Sequence, residues 1–306
     1  MSTSEKSMGN VVTLNKNFKV EAGLFNILKR NLSKGINTLL IGETGCGKTE
    51  VVSHIAKHMN MDLNIFDMGT MTDPISGLVG IHTVTIVDGK TTSSFKKSRF
   101  SEIIQKPGII LLDELSRAST QANNLLFPCL DFRRELSMEY CFEDQTPIKV
   151  HPECVFIATA NLGSQYTGTH KIDRALLDRF MTLRVSTPES NEIKASLKVS
   201  YPGILSSKLD TIIKIYDNIM LAHNTFKIDF SLSFRHLKYI TSMVEDGFTI
   251  YDAYYALCTG ITGMQDTSVL KDMLNISNET IPGEQKSPYE PKTIETEKVD
   301  ISSLEA

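Results

Sequence analysis

The chain has 306 residues, of which 41% are hydrophobic and 22% charged, and a formal net charge of −4 at pH 7. This composition is typical of a globular protein with a sizeable core, and the mild acidity excludes the global positive field that drives non-specific binding to nucleic acid. Five scattered cysteines without a C-x-x-C pair, no apolar run of about 18 residues and no apolar signal segment predict a cytoplasmic protein without a zinc module, a disulfide framework or a membrane span.

The start of the chain predicts a tail followed by a helix. Residues 1–17 are polar and have no clear period, and we expect a mobile tail there. Apolar side chains recur at helical spacing from residue 18 to residue 31, which predicts a helix. We expect this helix to open an α/β domain that spans residues 18–186.

A short apolar strand and a glycine-rich loop organise this domain. Residues 38–41 (TLLI) have the apolar content of a buried parallel strand. Residues 42–49 (GETGCGKT) then match the pattern G-x-x-x-x-G-K-[ST], and a helical pattern follows. Because glycines let the loop turn its N–H groups inward and the helix adds its positive end, the arrangement predicts a site for nucleotide phosphates.

Two side chains of this loop have separate predicted tasks. Lys48 supplies a point charge to the terminal phosphates, and the hydroxyl of Thr49 has the size and hardness to ligate Mg²⁺. The predicted cofactor-binding residues are Gly42, Glu43, Thr44, Gly45, Cys46, Gly47, Lys48, Thr49 and Glu50.

The segment after the first helix predicts a strand and an inserted hairpin. Residues 61–68 alternate between apolar and polar and predict a second strand. The Asp88-Gly89 pair lies between arms rich in Thr, Val and Ile, which predicts a β-hairpin at about residues 81–97. The run FKKSRF (95–100) is either an ordinary solvated edge or a contact surface for a partner.

Two carboxylates follow the next buried strand. Residues 109–112 (IILL) form a continuous apolar run that ends at Asp113 and Glu114. Side chains at the carboxyl end of a central parallel strand lie where α/β sheets bind ligands. We expect Asp113 to hold Mg²⁺ through water and Glu114 to polarise the water that attacks the phosphate.

One amide follows the fourth predicted strand, and two arginines precede the fifth. Residues 155–158 (VFIA) predict a buried strand, after which Asn161 is well placed to orient a water between Glu114 and a γ-phosphate. Arg174 and Arg179 then flank a short apolar segment before a fifth strand, which is predicted at residues 181–185.

The chain changes character after this point. Residues 187–277 show helical stripes and no strand pattern, which predicts a smaller all-α domain. Ser233 has the position of an N-cap and Gly247 that of a helix stop. Residues 278–306 are rich in Pro, Glu, Lys and Ser, and we expect a disordered tail.

These motifs, taken together, resemble those of the AAA+ ATPases. GETGCGKT, IILLDE, FIATAN, DRALLDRF and LSFRHL occur in the expected order, and the resemblance covers about residues 18–275. DPISGLVG, LLDELSRA and ANLGSQYTGTHKIDRALLDRF are similar to the MoxR-like (AAA-5) group, which includes CbbQ/NorQ, GvpN and CobS. Two departures are Cys46, where many members have threonine or serine, and DELSRA in place of DEINRA.

The resemblance implies a fold and a set of roles. The fold is a P-loop α/β domain with a five-stranded parallel sheet flanked by helices, plus a smaller all-α lid domain. Asn161 becomes sensor 1, Arg179 the arginine finger and Arg235 sensor 2, alongside Lys48 and Glu114 in the catalytic set. The implied cofactors are ATP and Mg²⁺. A finger taken from a neighbouring subunit implies a homo-oligomer, for which we expect a hexameric ring.

The resemblance leaves several functions open. The first is an ATPase that remodels, activates or assembles a partner protein, with a von Willebrand type A domain as one candidate. The second is the ATPase subunit of a CobS-like metal chelatase. A nucleic-acid motor is a third, against which the acidic balance and the lack of a DNA-binding module argue. A nucleotide-dependent scaffold with little turnover is a fourth, against which Glu114 and Arg179 argue.

Overall fold

The computed structural model describes residues 11–15, 18–87, 90–139, 141, 145–161 and 173–261. The chain divides into two compact units, Met1–Ser200 and Tyr201–Ala306, which we describe separately.

The strands of the described residues all belong to the first unit. In chain order they are β1 (Val11–Asn15), β2 (Phe18–Glu21), β3 (Thr38–Ile41), β4 (Leu63–Asp67), β5 (Gly80–Val87), β6 (Lys90–Lys97), β7 (Gly108–Asp113), β8 (Glu135–Leu136), β9 (Ile148–Lys149), β10 (Cys154–Ala160) and β11 (Met181–Arg184).

The α-helices extend over both units. In chain order they are α1 (Ala22–Ser33), α2 (Lys48–Met59), α3 (Arg99–Ile103), α4 (Thr120–Leu130), α5 (Arg174–Leu177), α6 (Ser190–Ser200), α7 (Ser206–Asn224), α8 (Phe234–Glu245) and α9 (Ile250–Ile261). A π-helical turn at Ile75–Val79 and a 3₁₀ turn at Leu115–Arg117 complete the described helical structure.

The central sheet confirms the predicted five parallel strands. Its order is β11-β3-β10-β7-β4, and every neighbouring pair is parallel. Parallel pairing places the carboxyl ends of β3, β7 and β10 at one edge of the sheet. The loop after β3, the carboxylates Asp113 and Glu114 at the end of β7 and the amide after β10 therefore meet at that edge.

Helices cover both faces of this sheet. Successive side chains of a strand point to opposite faces, and β7 shows this alternation directly. Ile109 and Leu111 cluster with buried side chains of α1 and α2. Ile110 and Leu112 cluster instead with buried side chains of α3, α4 and α5. The strand is buried on both sides, as its uninterrupted apolar run predicts.

The beginning of the chain differs from the prediction. Residues Val11–Asn15, which we expected to be part of a tail, form β1 and pair antiparallel with β2. The segment VVTLN is rich in β-branched side chains, which suit a strand. The first helix begins at Ala22 rather than residue 18, because β2 occupies the residues before it.

The predicted hairpin insertion is present. β5 and β6 pair antiparallel from Gly80↔Lys97 to Val87↔Lys90. The turn residues Asp88 and Gly89 lie outside the described residues. Gly80 has φ 151°, and a Cβ there would lie 2.4 Å from the Lys96 carbonyl oxygen, so the base of the hairpin requires glycine.

Within its described residues, 201–261, the second unit contains the helices α7, α8 and α9 and no strand, which confirms the expected all-α character. Ser233 caps α8, since its hydroxyl accepts from the His236 N–H at 3.4 Å. Gly247, with φ 101°, follows the end of this helix. The helix α6 groups with the first unit, and the predicted limits of the lid domain stay a prediction. No helix within the described part of the chain is both long and apolar enough to cross a membrane.

Candidate nucleotide-binding site

The loop between β3 and α2 has the backbone that its glycines predict. Gly45 and Gly47 have φ values of 78° and 91°, a region that side chains with a Cβ rarely adopt. A Cβ on Gly42 would lie 2.5 Å from the carbonyl oxygen of Val185 and 2.9 Å from Cys46 Sγ. Any larger residue at these positions would therefore distort the loop.

The structure brings two predicted site residues into direct contact. Lys48 Nζ donates to Asn161 Oδ1 at 2.7 Å, and also to the carbonyl oxygens of Gly42 at 2.9 Å and Glu43 at 2.8 Å. Both side chains are buried, and burial lowers the pKa of the Lys48 ammonium. Nearby Cys46 and Asp113 oppose that shift. The lysine thus connects the loop to the end of β10.

Thr49 and Asp113 form the second predicted pair. The Thr49 hydroxyl lies 3.1 Å from each carboxylate oxygen of Asp113. The buried hydroxyl of Thr159 also donates to Asp113 Oδ1. A hydroxyl beside a carboxylate supplies the hard oxygen donors that Mg²⁺ prefers, and Mg²⁺ keeps several waters in such sites. Thr49 and Asp113 therefore fit this ion.

Glu114 is held by its backbone and by an arginine. Its φ of 55° is left-handed, and its N–H donates to Thr159 Oγ1 at 3.0 Å. Its carboxylate Oε2 lies 3.1 Å from Arg117 Nη1, one turn further along the chain. A Cβ on Gly69 would lie 3.0 Å from the same oxygen, so the glycine leaves room for this pair. The carboxylate is partly exposed at the edge where the strands end.

Arg179 lies at the other end of the sheet. It lies two residues before the start of β11, whose first residue, Met181, donates its N–H to the carbonyl oxygen of Asn37 at 2.8 Å. The Arg179 guanidinium stacks on the ring of Phe127 at 4.6 Å, and its Nη2 lies 3.6 Å from Asp131 Oδ2. Because Met181 pairs with Thr38, the first residue of β3, Arg179 and the phosphate loop lie beyond opposite ends of β3.

A comparison with protein families agrees with this geometry. Residues 37–180 match the model described as AAA domain (dynein-related subfamily). Residues 37–180 belong to this AAA family. The match spans four of the five strands of the central sheet and ends at the residue before the fifth, β11. It confirms the resemblance to the MoxR-like AAA+ ATPases. Membership in this family implies nucleotide binding and ATP hydrolysis.

Several curated relatives are similar to this AAA protein. BssE of Thauera aromatica, which is named as a chaperone, is 28% identical over 76% of this chain and 78% of its own length. The denitrification regulatory protein NirQ of Stutzerimonas stutzeri is 28% identical over 52% of this chain and 54% of its own. The gas vesicle ATPase GvpN1 of Halobacterium salinarum is 27% identical over 50% and 48% respectively. The chain thus spans about half the length of NirQ and GvpN1.

Other predicted residues of this AAA domain contact neighbouring side chains of the same chain. The Glu43 carboxylate accepts a hydrogen bond from the Thr187 hydroxyl at 3.0 Å, and Glu50 Oε1 lies 3.8 Å from His54 Nε2. Cys46 is buried, and burial raises the pKa of its thiol. The contact of these loop residues with a nucleotide stays a prediction.

The roles of three arginines stay predictions. Arg174 is the first residue of α5 and is exposed. Arg235 is exposed in the first turn of α8 and belongs to the second unit. Its role as sensor 2 therefore stays a prediction, as does the finger role of Arg179.

Sequence reasoning missed Thr159 and Arg117. Thr159 lies one residue before the end of β10, and its hydroxyl contacts both Asp113 and the Glu114 N–H. The available sequence signal for Thr159 was that it is the one hydroxyl residue in FIATAN, because the strand is otherwise apolar. Arg117 is three residues after Glu114, a spacing at which side chains of a helical turn meet.

Proposed function

We propose that this chain is a Mg²⁺-dependent ATP hydrolase that works in a homo-oligomeric ring, six subunits in our proposal, and remodels or assembles a partner protein. The observation that carries the ring is the position of Arg179. It lies beyond the amino end of β3, whereas the phosphate loop follows the carboxyl end of the same strand. A strand rises about 3.3 Å per residue, so β3 alone separates the two by roughly 10 Å. The guanidinium therefore serves the nucleotide of a neighbouring copy.

The proposed chemistry needs positioning and charge neutralisation rather than a covalent step. Lys48 exchanges its carbonyl and amide acceptors for oxygens of the terminal phosphates. Thr49 and Asp113 would hold Mg²⁺, and the bound ion would supply positive charge that offsets the charge of the phosphates. Glu114 accepts a hydrogen bond from the attacking water and polarises it.

Asn161 and Arg179 complete this chemistry. Asn161, released when Lys48 turns to a phosphate, orients the same water. Arg179 of the next subunit supplies the last cation to the developing charge. Arg235, on α8, acts on the γ-phosphate as sensor 2 in this proposal. Arg174 has a supporting role at the subunit interface.

A ring follows from a finger supplied in trans. The surface that carries Arg179 differs from the surface that carries the phosphate loop, so the contact between copies is heterologous. Repetition of such a contact closes a ring when the rotation allows it. Hydrolysis at one interface then moves one subunit against the next, which is how the ring acts on its client.

The client is a protein in this proposal, and a von Willebrand type A domain is one candidate. The chaperone description of BssE and the gas vesicle role in the name of GvpN1 support a protein target. The β5–β6 hairpin supplies the contact surface, since Val84 is 65% and Ile86 74% exposed on it. Five cysteines without disulfides support work in the reducing cytoplasm.

Light scattering tests the ring. We expect the purified chain to form a closed oligomer, with a mass near that of six subunits, when Mg²⁺ and a non-hydrolysable ATP analogue are added. Without nucleotide the average mass should fall. A strict monomer at micromolar concentration in every nucleotide state would overturn the proposed function.

A further inference from the structure

The turn between α4 and β8 carries an almost fully exposed aromatic side chain. Phe132 is 94% exposed, and it lies between the end of α4 at Leu130 and the start of β8 at Glu135. A phenylalanine side chain presents a large apolar surface whose removal from water is favourable. Large side chains so exposed are candidates for contact with another molecule.

The neighbours of Phe132 hold this turn in place. The Asp131 carboxylate accepts from the Arg133 N–H at 3.0 Å and from Arg133 Nη2 at 2.8 Å. Just before it, the carbonyl oxygen of Leu130 accepts from the buried Asn37 Nδ2 at 2.9 Å. The aromatic ring therefore projects from a fixed backbone, so that little conformational freedom is lost when another molecule covers it.

The same turn holds Arg179. The Asp131 carboxylate that binds Arg133 also lies 3.6 Å from Arg179 Nη2, and Asp131 is the residue directly before Phe132. A molecule that receives the Arg179 guanidinium must therefore approach the surface from which Phe132 projects.

The charges around Phe132 indicate which molecule that is. Residues 131–135 and 173–179 carry four arginines and four carboxylates, and the arginines include Arg174 and Arg179, the latter 3.6 Å from Asp131. The opposite edge of the sheet carries partly or fully exposed carboxylates at Glu43, Glu50 and Glu114. Arg174 and Arg179 of one copy can therefore pair with carboxylates on the nucleotide edge of a second copy, a contact that orients association.

We propose that Phe132 is an anchor that a second copy of this chain buries when its nucleotide edge receives Arg179. The proposal rests on the trans arginine of the proposed function, and it adds a residue outside the nucleotide site that stabilises the contact between copies. Aromatic anchors at the centre of an interface commonly carry a large share of the binding energy. The turn at residues 131–133 then presents the Phe132 ring to the second copy together with the Arg179 guanidinium, which lies beside Asp131.

The test compares two phenylalanines with the same exposure. Phe226 is also 94% exposed, but it lies in the second unit, after α7. We expect Phe132→Ala to raise the protein concentration at half-assembly, with Mg²⁺ and a non-hydrolysable ATP analogue, by about ten-fold or more. Phe226→Ala should stay within about two-fold of the wild type, and Phe132→Tyr, which keeps the ring, should assemble like the wild type.

Binding of a fluorescent ATP analogue to the dilute, unassembled chain serves as the control for folding, and we expect all variants to bind equally. Normal assembly of Phe132→Ala, or an equal loss in Phe226→Ala, would overturn the anchor while the ring stands. A wild-type chain that stays monomeric in every nucleotide state would overturn the ring and the anchor together.

Discussion

The ammonium of Lys48 lies 2.7 Å from Oδ1 of Asn161. The two residues are 113 positions apart, and the contact joins the loop after β3 to the end of β10. In the proposed mechanism, a phosphate that replaces Asn161 as the partner of Lys48 frees the amide for the water that attacks the phosphate. The contact would then couple the arrival of the nucleotide to the release of Asn161.

We expect Lys48→Ala to weaken nucleotide binding. The lysine is buried, and its charge-assisted hydrogen bonds to phosphate oxygens are each worth about 1.5–3 kcal/mol, so the Kd for an ATP analogue should rise at least about ten-fold. Lys57→Ala, an exposed position on the same helix α2, is the matched control. Isothermal titration measures both, and an unchanged Kd for Lys48→Ala would contradict the assignment of the loop.

Glu114→Gln should bind ATP and fail to hydrolyse it. The amide preserves the shape of the side chain but cannot act as a carboxylate toward water, and such a group contributes roughly 10²–10⁴ in rate. A steady-state assay of phosphate release gives the loss in kcat, and Glu102→Gln, exposed on α3, is the control. Wild-type turnover by Glu114→Gln would show that the pair after β7 is assigned wrongly.

The hairpin should serve the client rather than the chemistry. Lys96 and Lys97 are exposed on β6, and the Phe95 ring contacts His82 on β5 at 5.1 Å between centroids. Replacement of Phe95, Lys96 and Lys97 together by alanine should keep basal ATPase within a few-fold and lower the activity stimulated by a partner. A complete loss of basal turnover in a folded ring would contradict this division of tasks.

The sequence predicted the parts of the fold that depend on local pattern. Continuous apolar runs marked the strands β3, β7 and β10, because a parallel strand covered on both faces is apolar throughout. The loop glycines and the pair Asp113-Glu114 followed from motif and position. The strand Val11–Asn15 was not predicted. It is short, it lies in a mostly polar segment without a clear apolar period, and its pairing with β2 stabilises it.

The contacts that complete the site depend on tertiary structure. Thr159 reaches Asp113 across two neighbouring strands, and Arg179 reaches Asp131 from 48 positions away. Neither contact has a sequence period, because each arises from the order in which the strands lie in the sheet. The exposure of Phe132 likewise follows only from how α4 ends.

Mixed rings test most directly whether Arg179 acts on a neighbour. Arg179→Ala and Glu114→Gln subunits are each expected to lose nearly all turnover when assembled alone. In rings formed from equal amounts of both, roughly a quarter of the interfaces pair an intact Glu114 with a neighbour's intact Arg179. Phosphate release should then recover well above either variant alone and approach roughly a quarter of the wild-type rate. No recovery in rings shown to contain both subunits would contradict action in trans.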